Sequence, residues 1–457
     1  MAARNKQIRR RGKPTCAGAG RASPGWFSRY RRHSRETLEL ALAEVPGYAS
    51  WRGRDPGPRF PVDARYAALP ALTKRELREH FPSGFVPRQR ELGPGLAAGE
   101  VEFAQTSGST DDRVTLVFNP GWWEASERAA WELNRHARRV ADGRHREAVL
   151  ASPRCVGPGF SPAPLSVAER TIGRHLYVNQ KINPAAWSPG DVRRMAREIN
   201  DYAPPALEAD PAYLAAFARR VAELGIEVRQ PRLIFLTYSY PSRVYLRQIR
   251  RVFDAPLASS YGSTETGHVF MECEAGRLHQ NSEHCRVDFL PWLSRHGGPL
   301  RGRILVTVFH NPWFVVLRFD IGDVARLDDR GPCPCGRVDG MVLRAIEGRE
   351  ADVTFDRRGG AVTVDRLDEA LAAVPGVAGW QLELPAPGKM RLRLLTEPGA
   401  ARRACRQARE ALAEIYGAGE GIEALSVRGL PHELSGKIRF TRTAYPVDRA
   451  MLWRGRR

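Results

Sequence analysis

Ala258-Ser-Ser-Tyr-Gly-Ser-Thr-Glu-Thr-Gly267 reads as a short apolar strand that runs into a hydroxyl-rich, glycine-punctuated turn ending on a carboxylate. These residue types suit a metal-bound nucleotide. Tyr261 offers a flat face for a base, Ser263 and Thr264 offer hydroxyl donors for a phosphate, and Glu265 offers a hard oxygen for Mg²⁺. Two further stretches share that chemistry: Thr106-Ser-Gly-Ser-Thr110 upstream, and Ser435-Gly-Lys437 near the C-terminus.

Between the first two stretches, apolar runs (Val149-Leu-Ala151, Leu233-Ile-Phe-Leu236) alternate with helical patterns over 191–202, 211–224 and 244–253. Such alternation predicts a layered α/β sheet. Ligands of open α/β sheets sit beyond the carboxyl ends of strands, so a site is expected in the turns carrying Tyr238-Ser-Tyr240 and Tyr261 to Glu265. Upstream, strands over 102–105 and 114–118 flank the 106–110 loop, and helices are predicted over 35–45 and 124–140. Thr73 with Glu76 three residues on reads as a capping box. Downstream, strands over 303–309 and 314–319, then a tight Asp320-Ile-Gly-Asp323 turn, predict a β-rich subdomain that ends with 341–349. The remainder reads as a small α+β unit, with helices over 364–373 and 400–415 and strands over 380–384, 391–395 and 423–427. The expected organisation is a basic, disordered tail over 1–33, an α/β core domain over 34–347 and a small α+β lid over 348–457.

The chain has 457 residues, 42% of them hydrophobic and 27% charged, which fits a multidomain globular protein. No apolar run approaches the ~20 residues of a membrane span, so no membrane partner is expected. The basic N-terminus meets Pro, Gly and polar residues where a signal peptide carries an apolar core, and the expected location is cytoplasmic. The formal net charge is +20. Because the arginines are spread along the chain rather than gathered in a stripe, this charge does not argue for a nucleic-acid partner. Seven cysteines at irregular spacing in a long chain argue against a disulfide framework and for reduced thiols.

The order of these motifs resembles the adenylate-forming (acyl-CoA ligase) superfamily, and within it phenylacetate-CoA ligase-like enzymes. The resemblance rests on Thr106-Ser-Gly-Ser-Thr110, Tyr261-Gly-Ser-Thr-Glu265, Arg318-Phe-Asp-Ile-Gly-Asp323, Gly348-Arg349 and Ser435-Gly-Lys437, with Leu72-Thr-Lys74 near the start. It implies an enzyme that uses ATP and Mg²⁺ to activate a small, aromatic carboxylic acid as an acyl-adenylate, then passes the acyl group to the thiol of CoA or a carrier protein. By this similarity Thr106, Ser107, Gly108, Ser109 and Thr110 hold the β- and γ-phosphates, and Thr264 donates to the α-phosphate. Glu265 binds Mg²⁺, and Tyr261, with Gly262 and Ser263, faces the adenine. Asp323 takes the ribose hydroxyls, Arg349 stands at the domain joint, and Lys437 neutralises charge that develops between carboxylate and phosphate. Three departures accompany the match. Asp111, Asp112 and Arg113 follow the first loop where the family has Gly-Lys. No Gly-Ala-Glu-like turn follows Tyr238-Ser-Tyr240. Ala351 and Asp352 occupy the joint. The adenylation half is therefore better supported than the thiol half, which leaves room for an acceptor amine or reductase, or for an inactive nucleotide-binding relative.

Cys273, His279, Cys333 and Cys335 form a Cys-x5-His followed by Cys-Pro-Cys. Three thiols and an imidazole make the closed ligand set of structural Zn²⁺, with His284 and Cys285 as competing ligands. Zinc there would pin the segment after Glu265 to the segment after Asp323.

Overall fold

The computed structural model describes residues 25–105, 114–417 and 421–454. The expected phosphate loop, Thr106 to Thr110, with Asp111, Asp112 and Arg113, lies outside the described residues, as do residues 1–24. The first helix, α1 (Trp26–Glu44), begins earlier than predicted and takes in residues 26–33 of the expected tail. Its aromatic residues supply the reason: Tyr30 and His33 pack on Phe309, with ring centroids 6.0 and 5.8 Å apart, so burial offsets the cost of ordering that composition and charge implied.

Helix α2 (Lys74–Glu79) carries the predicted capping box, with the Thr73 hydroxyl accepting from Glu76 N and the Glu76 carboxylate accepting from Thr73 N. The helix expected over 124–140 is two helices. α3 (Trp122–Trp131) ends early, and Asn134 starts a new turn by accepting from His136 N and Ala137 N. α4 (Pro189–Tyr202), α5 (Pro211–Glu223) and α6 (Arg243–Ile249) follow the predicted pattern. Ser188 and Asp210 cap α4 and α5, each with proline at the first helical position, where the missing N–H costs nothing.

A twelve-stranded sheet organises the large domain. Its strands are β1 (Glu147–Leu150), β2 (Ala206–Ala209), β3 (Leu233–Leu236), β4 (Leu257–Ser263), β5 (Gly267–Glu272), β6 (Leu278–Gln280), β7 (Cys285–Pro291), β8 (Arg301–Val308), β9 (Phe319–Leu327) and β10 (Val342–Arg349), with two short outer strands beyond β1. β1 to β4 are parallel neighbours, and antiparallel pairing begins at β5. The strand expected over 314–319 is absent. Residues 314–318 run irregularly, Arg318 has φ 52°, and pairing starts at Phe319. The expected turn over 320–323 is instead the first half of β9, so Asp323 stands on a strand beside Arg349 of β10. Gly322 (φ 83°) and a bulge after Asp323 produce the local bend that the sequence suggested as a turn.

The smaller α+β domain has a four-stranded sheet in the order β13-β12-β11-β14: β11 (Val377–Ala386), β12 (Lys389–Thr396), β13 (Ile422–Ser426) and β14 (Thr441–Thr443), with α7 (Val364–Ala372) and α8 (Ala401–Tyr416). It is not a loosely tethered lid here. Trp380, Leu382 and Phe440 share one apolar core with Val244, Tyr245 and Ile249 of the large domain. Under that contact Asp368, fully buried, accepts from Ser242 Oγ, Arg243 N and Trp380 Nε1. Among the described residues no helix is long and apolar enough to cross a membrane.

Candidate active site

The carboxyl ends of β2, β3 and β4 point toward one place, and the loop carrying Lys437 docks over it. At the end of β4 the chain turns back into β5 so closely that a Cβ on Gly262 would collide with the Gly267 carbonyl. Only glycine permits the approach. The turn buries Glu265, which is 5% exposed, and Lys74 at the start of α2 ion-pairs with it at 3.3 Å. The Ser263 hydroxyl pairs with that of Thr266 at 3.0 Å. Tyr261 donates to Asp323 Oδ2 at 2.8 Å, and Arg349 Nε lies 3.9 Å from Asp323 Oδ1.

The Lys437 loop is held from below by the large domain. Arg154 Nη1 donates to Leu434 O (3.0 Å), Cys155 Sγ to Ser435 O (3.3 Å) and the Tyr213 hydroxyl to Gly436 O (3.2 Å). Gly436 has φ 88°, and a Cβ there would lie 2.5 Å from both Ser152 Oγ and the Tyr213 hydroxyl. Burial raises the carboxyls of Asp210 and Asp323, and the Lys437 ammonium pulls both partway back. The structure therefore brings Tyr261, Glu265, Asp323, Arg349 and Lys437 around one space. Thr264 sits in the same turn, partly exposed.

Cys273, His279, Cys333 and Cys335 also converge, with one ligand atom from each within 4.8 Å of the others. Tetrahedral Zn–S bonds of about 2.3 Å place two sulfurs roughly 3.7 Å apart, and Cys273 Sγ lies 3.6 Å from Cys333 Sγ. Cys335 Sγ is 3.4 Å from His279 Nε2. Backbone N–H groups of Ala275 and Arg337 donate to the sulfurs of Cys273 and Cys335. Burial pushes His279 down to about 4, which keeps the imidazole in the neutral, metal-binding form. The competing ligands lie apart. Cys285 donates to Asn281 O at 3.4 Å, and His284 packs against Trp122 and His310.

Sequence reasoning gave no role to Lys74 or Asp210 and passed over a charged cluster beneath β1 and β2. Glu147, 1% exposed, accepts from Arg174 Nη1, and Arg174 also holds Glu127 of α3 at 2.9 Å. Glu208 on β2 accepts from the Tyr238 hydroxyl. The signal was available: one glutamate stands in each of the otherwise apolar strands Glu147-Ala-Val-Leu150 and Ala206-Leu-Glu-Ala209.

No protein-family model and no curated protein match the chain. Solved structures do. A 2-hydroxyisobutyryl-CoA ligase in the postadenylation state with 2-HIB-AMP superposes with a TM-score of 0.68, at 14% identity over 94% of this chain and 92% of that one. The same ligase with R3-HIB-AMP gives 0.67, at 16% identity over 92% and 90%. This chain has the adenylate-forming ligase fold. In its thioesterification state with 2-HIB-AMP and CoA, that ligase scores only 0.53, at 16% identity over 93% and 91%. The arrangement of the two domains here is thus nearer to the postadenylation one.

Proposed function

We propose that the protein activates a small carboxylic acid with ATP as an acyl-adenylate and transfers the acyl group to a thiol, of CoA or of a carrier protein. The observation that carries this reading is the hydrogen bond from Tyr261 to Asp323 beyond the end of β4, with the loop of Lys437 seated on Ser152 and Tyr213 at the same end of the sheet. An acid carboxylate attacking the α-phosphorus of ATP, with pyrophosphate leaving, concentrates negative charge between the two groups. An ammonium fixed there in advance lowers the barrier without reorganising. Asp323 has two carboxylate oxygens with which to accept from a ribose diol, and Tyr261 offers its ring to the base.

Glu265 fits Mg²⁺, because Mg²⁺ is commonly held by one or two carboxylates together with substrate phosphates, and this carboxylate already faces a cation, Lys74. A bound Mg²⁺ would supply charge neutralisation at the phosphates. Cys273, His279, Cys333 and Cys335 would hold a structural Zn²⁺ tying the segment after β5 to the β9–β10 connection, away from the reacting atoms.

The thiol step is supported by the likeness to a ligase solved with CoA. It requires the lid to leave the closed position, giving up the hydrogen bonds of Asp368 with Ser242 and Arg243. Pyrophosphate release over a panel of carboxylic acids, with and without CoA, tests the reading. Acid-dependent release, with acyl-CoA appearing only when CoA is added, is expected; no release with any acid overturns it.

A further inference from the structure

We infer that the acid activated here carries a basic nitrogen at the end remote from its carboxylate, bound by Glu208 on β2. This rests on the adenylation reading above and names the substrate class of that site. Register places the residue: Glu208 pairs with Phe235 and Phe235 with Ala258, so the three lie side by side, with Ser260 two residues further along β4 toward the Tyr261 turn. Glu208 stands two residues before Asp210, a carboxyl that senses the Lys437 charge. Its flanking residues on β2, Leu207 and Ala209, are fully buried, whereas Glu208, Tyr238, Ser260 and His268 all keep part of their surface open. These four bound the space proposed for the remote end of the acid, on the face of the sheet where Phe235 and Ala258 pack against Trp131 of α3.

That space is short of positive charge. Glu127, Glu147 and Glu208 meet in it, and Arg174 is the guanidinium that acts on all three. Arg174 is already committed to Glu127 and Glu147, the buried His145 lies 3.3 Å from Glu147 Oε2, and among the described residues Glu208 has no ion pair, only the Tyr238 hydroxyl. Burial holds the nearby imidazoles of His175 and His268 below their usual range, so they supply little charge near neutrality. Among the described residues Glu147 Oε1, on a residue 1% exposed, is buried without a hydrogen-bond partner, as are His268 Nε2 and His145 Nδ1. A buried carboxylate oxygen without a partner marks what the ligand would bring, an N–H donor with positive charge. The Trp131 ring, stacked near Phe235 with centroids 6.4 Å apart, gives the carbon skeleton an apolar wall.

The test compares pyrophosphate release with ω-amino acids (β-alanine, 4-aminobutyrate, 5-aminovalerate, 4-(aminomethyl)benzoate) against matched uncharged acids (propionate, butyrate, valerate, 4-methylbenzoate). At least one amino acid is expected to exceed its uncharged match at least tenfold in kcat/KM. Glu208→Gln should remove that advantage, costing the amino acids at least tenfold more in kcat/KM than it costs the uncharged acids. Thermal shift with the same amino acids, without ATP, gives a second readout that needs no chemistry, and Tyr238→Phe serves as a milder variant should Glu208→Gln fail to fold. Equal turnover of the two series, or equal losses in both on substitution at Glu208, overturns the inference and leaves adenylation standing. No pyrophosphate with any acid, but a thermal shift that depends on Glu208, overturns adenylation and keeps the nitrogen site. Neither signal overturns both.

Discussion

The Tyr261 phenol donates to Asp323 Oδ2 at 2.8 Å, joining the turn that ends β4 to a carboxylate on β9, three strands beyond β5 in the sheet. The tyrosine proposed to face the base and the aspartate proposed to face the ribose are thereby set in one fixed relation. Asp323→Asn keeps the shape but turns a two-way acceptor into a mixed donor and acceptor. Losing hydrogen bonds to a charged acceptor costs roughly 1.5–3 kcal/mol. The KM for ATP should accordingly rise about tenfold or more, with a smaller change in kcat; an unchanged KM would remove Asp323 from the nucleotide site.

Lys437→Ala should abolish acyl-adenylate formation while leaving ATP affinity and folding nearly intact. In the proposed function the lysine acts on charge that develops in the transition state, and removing one such donor typically costs on the order of 3 kcal/mol, or 10²–10³ in rate. Pyrophosphate release measured with saturating ATP reads the loss, and undiminished release would refute the assignment. The Gly436 backbone, not Lys437, makes the docking contact with Tyr213, so the loop should still seat in the variant.

Much of this was readable from residue order. The α/β alternation placed β1 to β4, and hydroxyl-glycine turns marked the end of β4 and the Lys437 loop, because those features depend on neighbours in sequence. Asp323 was identified but put on a turn, since Gly322 inside a strand looks like a turn until β8 and β10 are seen to pair on either side of it. Lys74 received no role because nothing local ties α2 to Glu265; Leu72 does so, bridging to Phe319 through a contact 247 positions away. Glu208 was lost for the opposite reason. A single glutamate in an apolar strand reads as a solvent-facing edge unless the helix covering that face is known.

Glu265→Gln should raise the Mg²⁺ concentration needed for half-maximal activity, since an amide oxygen binds a hard dication less well than a carboxylate. In the structure the carboxylate is 5% exposed and faces Lys74, so the substitution also leaves the lysine uncompensated. A second effect follows: Lys74→Met in the Glu265→Gln background should cost less than Lys74→Met alone, as expected of residues in contact. Mg²⁺ titrations of the four proteins check both points, and four superimposable curves would make Glu265 a structural carboxylate only.

Metal analysis of the purified protein should find close to one equivalent of zinc. Cys335→Ser should lower thermal stability and zinc content together, because a closed site stores its binding energy as folding energy. Adenylation rates at a temperature well below unfolding should stay within a few-fold, since the four ligands carry no reacting group. Zinc below a few tenths of an equivalent, with no stability lost on chelation, would show that the four side chains pack without an ion.

The charged cluster makes a prediction about stability that does not depend on finding the substrate. Burial, reinforced by the Glu147 charge, pushes the Glu208 carboxyl up to about 8 from an ordinary 4.5. A carboxyl whose pKa is higher in the folded protein binds more protons folded than unfolded. Its contribution to stability is therefore fully present below about 4.5 and is lost as pH rises through about 8. Glu127, pushed up by burial to about 7, acts in the same direction, while Glu147, held below its ordinary range once His145 and Arg174 outweigh its burial, acts in the opposite one. Comparison with Glu208→Gln isolates the one group, because the others remain in both proteins. The variant should match the parent in thermal midpoint near pH 5 and exceed it increasingly toward pH 8.5, where the parent must carry a buried carboxylate whose only hydrogen-bond partner among the described residues is Tyr238. Melting curves across that range decide it: a constant offset between the two proteins would mean that Glu208 is ionised throughout, and that the cluster already has its counterion.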